Sequence, residues 1–323
     1  MSGVLVVRPS SLGDVVHALA LVDDVRAHAP EMPIDWVAEE AFVPLVRLDP
    51  RIRSVFPLAF RRWRAAPLGR DTRREFAHFR TTLRATVYDA IVDLQEQVKG
   101  ALVARIARGT RHGFDRRSIR EPLATWLHDV HHAVPRNQHF IDKARALAGA
   151  ALGYTPSGPP RWHLVPPASA AAMPAGPYAM IFHGTSRNDK LWPEEYWRKL
   201  VAHFGQAGFA TLLPWGSATE EARSRRLAEG SPFAIVPPRQ TLPDLASLAS
   251  HAEVVVGVDT GLTHLAAALR TPTVAVFTAT DAFLAGVART GPHARDTGGN
   301  GHVPTHEDVV AAVADVLRDA PRC

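Results

Sequence analysis

Short β-branched runs recur along this chain, and each gives way to a stretch whose apolar residues are spaced for a helix. Val4 to Val7 runs through Pro9, Ser10, Ser11 and Gly13 into apolar positions between Val15 and Val25, which reads as strand, loop, helix. Ile34 to Val37 and Ala90 to Leu94 start the pattern again. After a break, so do Tyr178 to Phe182, Ala210 to Pro214, Val254 to Val258 and Thr273 to Phe277. Strands that alternate with helices are joined by crossovers rather than hairpins, and the result is a parallel sheet of the α/β class. The break is Thr155 to Pro177, where seven prolines and many small residues interrupt both periods, as a linker does. Two α/β halves are therefore expected, residues 1–165 and 166–323. Paired in this way, the C-terminal edges of two parallel sheets are expected to face a central cleft, where open α/β proteins bind ligands.

Composition narrows what such halves can do. With 323 residues, 46% hydrophobic and 21% charged, the chain is long enough and apolar enough for two globular cores, which excludes a disordered or collagen-like protein. No segment reaches the roughly 18 apolar residues of a membrane span, and Met1 to Val7 lacks a basic region before a long apolar core. A cytoplasmic protein is expected. Cys323, at the end of the sequence, is expected to form no internal disulfide and to carry no catalysis. Residues 1 to 160 hold 23 Lys and Arg against 17 Asp and Glu, and residues 161 to 323 hold 14 against 15. The positive charge belongs to the first half, which points to an anionic partner there: nucleic acid, a membrane surface or a phosphorylated substrate.

Three loops carry residues suited to chemistry. In Arg8-Pro9-Ser10-Ser11-Leu12-Gly13-Asp14 a carboxylate stands in the first turn of a helix, where it either stabilises the helix dipole or meets a ligand. His183 to Pro193 combines Thr185, Ser186 and Lys190 directly after a strand, and hydroxyls, backbone N–H groups and one cation in a loop suit a phosphate. Gly257 to Ala268 runs from strand to helix through Asp259, Thr260 and Gly261, with His264 one turn on. Its helix N-terminus is a second anion site, and His264 is either a structural imidazole or a ligand contact. Neither G-x-G-x-x-G nor G-x-x-x-x-G-K-[ST] is present.

Those three stretches, together with Arg61-Arg62-Trp63-Arg64, Arg120-Glu121-Pro122-Leu123 and Leu213-Pro214-Trp215-Gly216, resemble the lipopolysaccharide heptosyltransferases of type I over nearly the whole chain. The resemblance implies the GT-B architecture, two Rossmann-like domains, with acceptor bound by the N-terminal one and ADP-heptose by the C-terminal one. It implies transfer of L-glycero-D-manno-heptose to the Kdo region of Kdo-lipid A in inner-core biosynthesis, by direct displacement that inverts the anomeric carbon. Asp14 then takes the proton of the acceptor hydroxyl, beside Ser10, Ser11 and Gly13. Thr185, Ser186, Lys190, Thr260, Gly261 and His264 surround the donor diphosphate, with Lys190 stabilising charge on the leaving ADP. Glu220, or its neighbour Glu221, binds ribose, and Asp259 orients heptose hydroxyls. The chain departs from the family pattern at Asn188, over Phe277 to Ala282, and at Gln240 in the loop expected to line the adenine pocket.

The arginine-rich stretches acquire a substrate from the same resemblance. Between Arg51 and Arg74 lie eight arginines and one acid, and Arg61, Arg62, Arg64 and Arg120 are expected to contact the anionic acceptor, since guanidinium forks suit carboxylate and phosphate. A helix N-terminus and a lysine supply much of the positive charge a diphosphate needs, so neither metal nor cofactor is expected. His128, His131, His132 and His139 have spacing that would let imidazoles converge on a helix, without a cysteine or open catalytic position beside them. Transient contact with the anionic cytoplasmic face of the inner membrane is expected, and nucleic-acid binding is not, because no recognised nucleic-acid motif is present. The competing readings are another GT-B transferase or a nucleotide-sugar epimerase, and a basic membrane- or nucleic-acid-binding protein.

Overall fold

The computed structural model describes residues 3–168 and 173–319; Cys323 and part of the proline-rich stretch lie outside them. The chain divides into two compact units, Met1–His163 and Leu164–Cys323. In the first, strands β1 (Val4–Val7), β2 (Ile34–Glu39), β3 (Ser54–Leu58), β4 (Val87–Asp93), β5 (Arg108–Phe114) and β6 (Val130–His132) form a parallel sheet in the order β3-β2-β1-β4-β5-β6. In the second, β7 (Tyr178–Phe182), β8 (Ala210–Leu212), β9 (Ala234–Ile235), β10 (Val254–Val258), β11 (Thr273–Phe277) and β12 (Ala294–Gly298) are also parallel, in the order β12-β11-β10-β7-β8-β9. Counted from its own first strand, the second sheet repeats the order of the first. This is the doubly wound α/β arrangement the alternation predicts.

Five strands escape the sequence pattern for separable reasons. β3 contains Pro57 and forms the sheet's edge, where a missing N–H breaks no central ladder. β5 and β12 are rich in Arg, Gly and Thr, so their strand state comes from pairing with neighbours rather than from propensity. β6 and β9 are too short to show a period.

The helical reading also misplaces the histidine run, part of which is β6. Val130 to His132 pairs with β5, matching His112 to Val130, and adjacent residues of a strand point to opposite faces. The imidazoles therefore take separate partners: His128 Nε2 meets buried Asp93 at 3.0 Å, His131 Nε2 meets the Thr125 carbonyl at 2.8 Å, and His132 Nε2 meets His112 Nδ1 at 3.0 Å. His139 accepts from Ile141 N–H at 3.2 Å and caps the helix Phe140–Leu152.

Right-handed crossovers sort the first unit's helices onto two faces. Leu5, Val7, Val37 and Ile91 project to one side, where Trp63 of helix Phe60–Ala65, Phe79 and Leu83 of helix Arg70–Leu83, and Val103 and Ala104 of helix Val98–Ile106 cover them. Helices Leu12–Leu19 and Leu21–His28 pack with Phe140–Leu152. That second layer is pinned by a buried ion pair, Arg145 Nε to Asp24 Oδ2 at 2.7 Å and Nη2 to Oδ1 at 2.8 Å. Arg145 also donates to the carbonyls of Ser157 and Gly158, and Trp162 Nε1 donates to that of Val16. The start of the proline-rich stretch is thus strapped to the first unit. In the second unit, Val254, Val256 and Val258 face a core built on Trp192, Trp197 and Phe204, while Val255 faces Leu248 and Ala266.

Arg145→Ala strips a buried carboxylate of its partner, and such a loss costs about 3–5 kcal/mol. Urea unfolding should show a destabilisation of that size for the variant. A change below about 1 kcal/mol, the scale of an exposed pair, would show that this clamp does not hold the layer.

Candidate functional site

In each sheet the strand order reverses once, between β1 and β4 and between β7 and β10. Loops leaving the two strands at such a reversal diverge to opposite faces and open a crevice at the strands' C-terminal ends. All three loops singled out from the sequence leave these strands.

At the first reversal, β1 ends at Val7 and helix Leu12–Leu19 follows Ser11. Asp14 is the third residue of that helix, and its Oδ2 accepts from the Ser11 N–H at 2.9 Å and the Ser11 hydroxyl at 2.7 Å. Its Oδ1 meets Arg8 Nη2 at 2.7 Å, and Arg8 Nη1 donates to the Leu94 carbonyl at the end of β4. Burial of the carboxyl pushes its pKa upward, but the Arg8 guanidinium, the two Ser11 donors and nearby His17 outweigh burial and hold it at about 2. Asp14 is thus ionised at neutral pH and held by strong donors.

Beside it is a polar cavity of about 240 Å³ whose lining includes Arg8, Asp14, His17, Arg120, Arg136 and Lys143. Arg136, Lys143 and Glu96, also on its wall, are functional candidates that the sequence reading missed. Lys143 sits on the buried side of helix Phe140–Leu152, pairs with Glu96 and lies 4.6 Å from the Phe114 ring centre. Its burial lowers its pKa despite the Glu96 carboxylate. A cation on the inward face of an amphipathic helix was the available signal.

The arginines expected to act together are divided by the fold. Arg120 lines the cavity with Asp14; Arg61, Arg62 and Arg64 stand on helix Phe60–Ala65 and do not line it. Arg62 is engaged by Glu40 at 3.0 Å and Glu75 at 2.7 Å, and the Arg61 guanidinium lies 5.8 Å from the Phe42 ring centre. Phe60, at the start of this helix, lines a small cavity with Ser10.

At the second reversal, β7 leads into the loop holding Thr185, Ser186 and Lys190, and β10 leads into Asp259 and helix Gly261–Ala268. Thr260 is the N-cap, so N–H groups of the first turn from Gly261 face the loop end of the sheet. Gly257 makes room for this helix, because a Cβ there would stand 2.1 Å from Thr263 Oγ1.

Asp259 joins the two loops. Its Oδ2 accepts from Lys190 Nζ at 2.6 Å and from Thr280 Oγ1 at 2.6 Å, and its Oδ1 lies 3.3 Å from His264 Nε2. Thr185 Oγ1 donates to the Asp259 carbonyl at 3.4 Å. Burial raises the Asp259 pKa, yet His264, Lys190 and Thr280 together hold it well below the ordinary carboxylate range. Thr280 belongs to the segment that departs from the family pattern. Thr278, in the same segment, donates to the Asp189 carbonyl at 2.7 Å and braces the Lys190 loop.

Glu220 and Glu221 are separated by the structure. Glu220 Oε2 accepts from the N–H groups of Gly216 at 2.7 Å and Ser217 at 3.1 Å, forming a capping box, and a Cβ on Gly184 would stand 2.4 Å from Glu220 Oε1. Glu221 pairs with Arg225 along its own helix at 2.6 Å. Glu220 is therefore the one beside the Gly184–Lys190 loop. Gln240 Nε2 donates to the Pro238 carbonyl at 2.7 Å.

Residues 76–302 match the model of glycosyltransferase family 9 (heptosyltransferase). The chain is 40% identical to lipopolysaccharide heptosyltransferase 1 of Escherichia coli strain K12, over 88% of this chain and 90% of that one. It is 39% identical to lipopolysaccharide heptosyltransferase 1 of Pseudomonas aeruginosa, over 85% of this chain and 78% of that one. Among solved structures, the E. coli heptosyltransferase WaaC with ADP superposes with a TM-score of 0.87 at 35% identity, covering 98% of this chain and 99% of that one. The same enzyme with ADP-2-deoxy-2-fluoro heptose gives 0.83 at 34% identity, covering 98% and 99%.

The Asp14 interactions carry a pH signature. Because its folded pKa of about 2 lies below the ordinary 3.8, they stabilise the fold in full above the ordinary value and are lost as pH falls through the folded one. Urea midpoints of wild type and Asp14→Asn should differ by a constant amount from about pH 5 to pH 8 and converge as pH approaches about 2. A gap that does not narrow on acidification would contradict the network around this carboxylate.

Proposed function

The chain belongs to glycosyltransferase family 9, the heptosyltransferases, and from that premise we propose that it transfers L-glycero-D-manno-heptose from ADP-heptose to the Kdo region of Kdo-lipid A. The observation that carries the donor half of this reading is the junction of Lys190, Thr280 and His264 on Asp259, at the N-terminus of helix Gly261–Ala268. Thr185, Ser186, Lys190, Thr260, Gly261 and His264 hold the diphosphate. The helix end and the lysine meet the negative charge that grows on ADP as the anomeric bond breaks. Asp259 orients the heptose hydroxyls, and Glu220 takes the ribose.

The acceptor half rests on the cationic cavity beside Asp14. Arg120, Arg136 and Lys143 suit carboxylate and phosphate groups of the acceptor, with Ser10, Ser11 and Gly13 positioning its hydroxyl and Arg61, Arg62 and Arg64 meeting its more distant charges. The acceptor oxygen attacks the anomeric carbon, its proton passes to the Asp14 carboxylate, and the electron pair of the breaking C–O bond leaves with ADP. Displacement in one step inverts the anomeric centre. A carboxylate held at about 2 by Arg8 and Ser11 is a weak base in the free protein. An anionic acceptor competes for Arg8 and so raises the basicity of Asp14 where the proton must be taken. Among the described residues no helix is long and apolar enough to cross a membrane. We place the protein in the cytoplasm, meeting its lipid-linked acceptor at the inner membrane.

Incubating the protein with Kdo-lipid A and ADP-heptose, with UDP- and GDP-sugars as controls, tests donor and acceptor together. Turnover is expected with ADP-heptose, with inversion, and comparable turnover with a UDP- or GDP-sugar would overturn the donor assignment. Lys190→Ala should lower kcat by roughly 10²-fold or more, the scale of losing one donor to a developing anion. A decrease of less than about threefold would remove Lys190 from that role.

A further inference from the structure

One face of the first sheet carries an unusual combination of side chains. Helices Phe60–Ala65, Arg70–Leu83 and Val98–Ile106 cover that face, and the 3₁₀ helix Pro122–Leu127 packs against the last of them. Glu121 fixes this contact, accepting from Val98 N–H at 2.9 Å and Gln97 Nε2 at 3.1 Å. Residues 60 to 84 contain eight arginines and two acids. On helix Arg70–Leu83 the spacing of Arg70, Arg73, Arg74 and Arg80 puts them on one side. Phe79 and Leu83 of the same helix are buried in the core.

Apolar side chains protrude from these same elements. Leu68, in the turn between the first two helices, is 85% exposed, and Trp126 and Leu123 are 80% and 62% exposed. In a 3₁₀ helix residues three apart eclipse, so Leu123 and Trp126 form a single outward ridge while Ala124 and Thr125 are buried beneath. Arg120, three residues before Leu123, lines the Asp14 cavity. Between helices Phe60–Ala65 and Arg70–Leu83 lies an apolar cavity of about 490 Å³, bounded by Phe56, Trp63 and Phe79 and by Arg62 and Arg74.

We propose that this face is the surface by which the protein docks on an anionic lipid bilayer, with Leu68, Leu123 and Trp126 entering the headgroup region and the flanking arginines meeting lipid phosphates. The charge complementarity selects the occupant: arginines on a surface are drawn to acidic headgroups, whereas leucine and tryptophan held out in water gain by entering the interface. Neither part is a strong anchor alone, and together they give reversible binding. The inference rests on the proposed lipid-linked acceptor, and it identifies the surface that brings the Arg120 side of the cavity to that lipid.

The test uses the full chain and its Leu68→Ser, Leu123→Ser, Trp126→Ser triple variant, with vesicles of phosphatidylglycerol and phosphatidylethanolamine and with neutral phosphatidylcholine vesicles. Turnover on a deacylated, water-soluble acceptor is measured in parallel. Wild type is expected to cosediment with the anionic vesicles and only weakly with the neutral ones. The triple variant is expected to lose at least about tenfold in vesicle affinity, from the apolar area withdrawn, with turnover on the soluble acceptor within about twofold of wild type. Equal vesicle binding by wild type and variant overturns the docking face, as does wild type that binds neither vesicle or both equally. Absence of wild-type turnover on the soluble acceptor bears instead on the acceptor assignment, so the two failures are read separately.

Discussion

Parallel strands joined by right-handed crossovers cannot continue outward in both directions from a first strand without reversing once, and everything distinctive in this protein gathers at the two reversals. In each unit the first and fourth strands are neighbours, and the loops leaving them are not bridged by a crossover. Polar groups placed there remain close to one another and open to a ligand. Arg8 and Asp14 follow β1, Leu94 to Gln97 follow β4, and together they line one cavity. Lys190 follows β7, Asp259 follows β10, and they meet at 2.6 Å.

Each reversal holds a carboxylate whose burial is overcompensated. Burial alone raises the pKa of Asp14 and of Asp259, yet both end below the ordinary value because cations and hydroxyl donors converge on them. Asp14 is gripped by Arg8 and Ser11; Asp259 by Lys190, Thr280 and His264. In the proposed reaction these pairings are resting states. An anionic acceptor competes for Arg8, a diphosphate competes for Lys190, and each binding event releases a carboxylate for its task. Charge already oriented in the free protein needs little reorganisation when the reaction begins.

The α/β architecture was legible because β10 is a buried valine run and its neighbours β7 and β11 are buried, largely apolar runs, a signal that survives without any structure. The similarity to family 9 members bears out the kinship that the three loops implied. Strands such as β5 and β12 were illegible, since their polar and glycine-rich sequences become strand only by pairing at a defined register. The histidine run misled for a related reason: spacing alone does not reveal that Val130 to His132 extends a sheet. Of the site, the residues on the loops after β1, β7 and β10 could be read, because small residues, hydroxyls and charges stand out against apolar neighbours. Arg136 could not, as it reaches the cavity from distant sequence; Lys143 showed only as a cation on the inward face of its helix, and Thr280 lay in a segment marked in the sequence only by its divergence. The division of Arg120 from Arg61, Arg62 and Arg64 is likewise tertiary, set by which crossover carries each.

The central claim is that Asp14 takes the acceptor's proton, and one variant tests it most directly. Asp14→Asn preserves size and the ability to cap its helix, but an amide cannot accept that proton. Measured with the thermal midpoint and the ADP-heptose Kd, kcat should fall on the order of 10² to 10⁴-fold while the protein stays folded and donor affinity is retained. A folded variant that keeps more than about a tenth of wild-type kcat would contradict the assignment and return Asp14 to the role of a helix-capping acid.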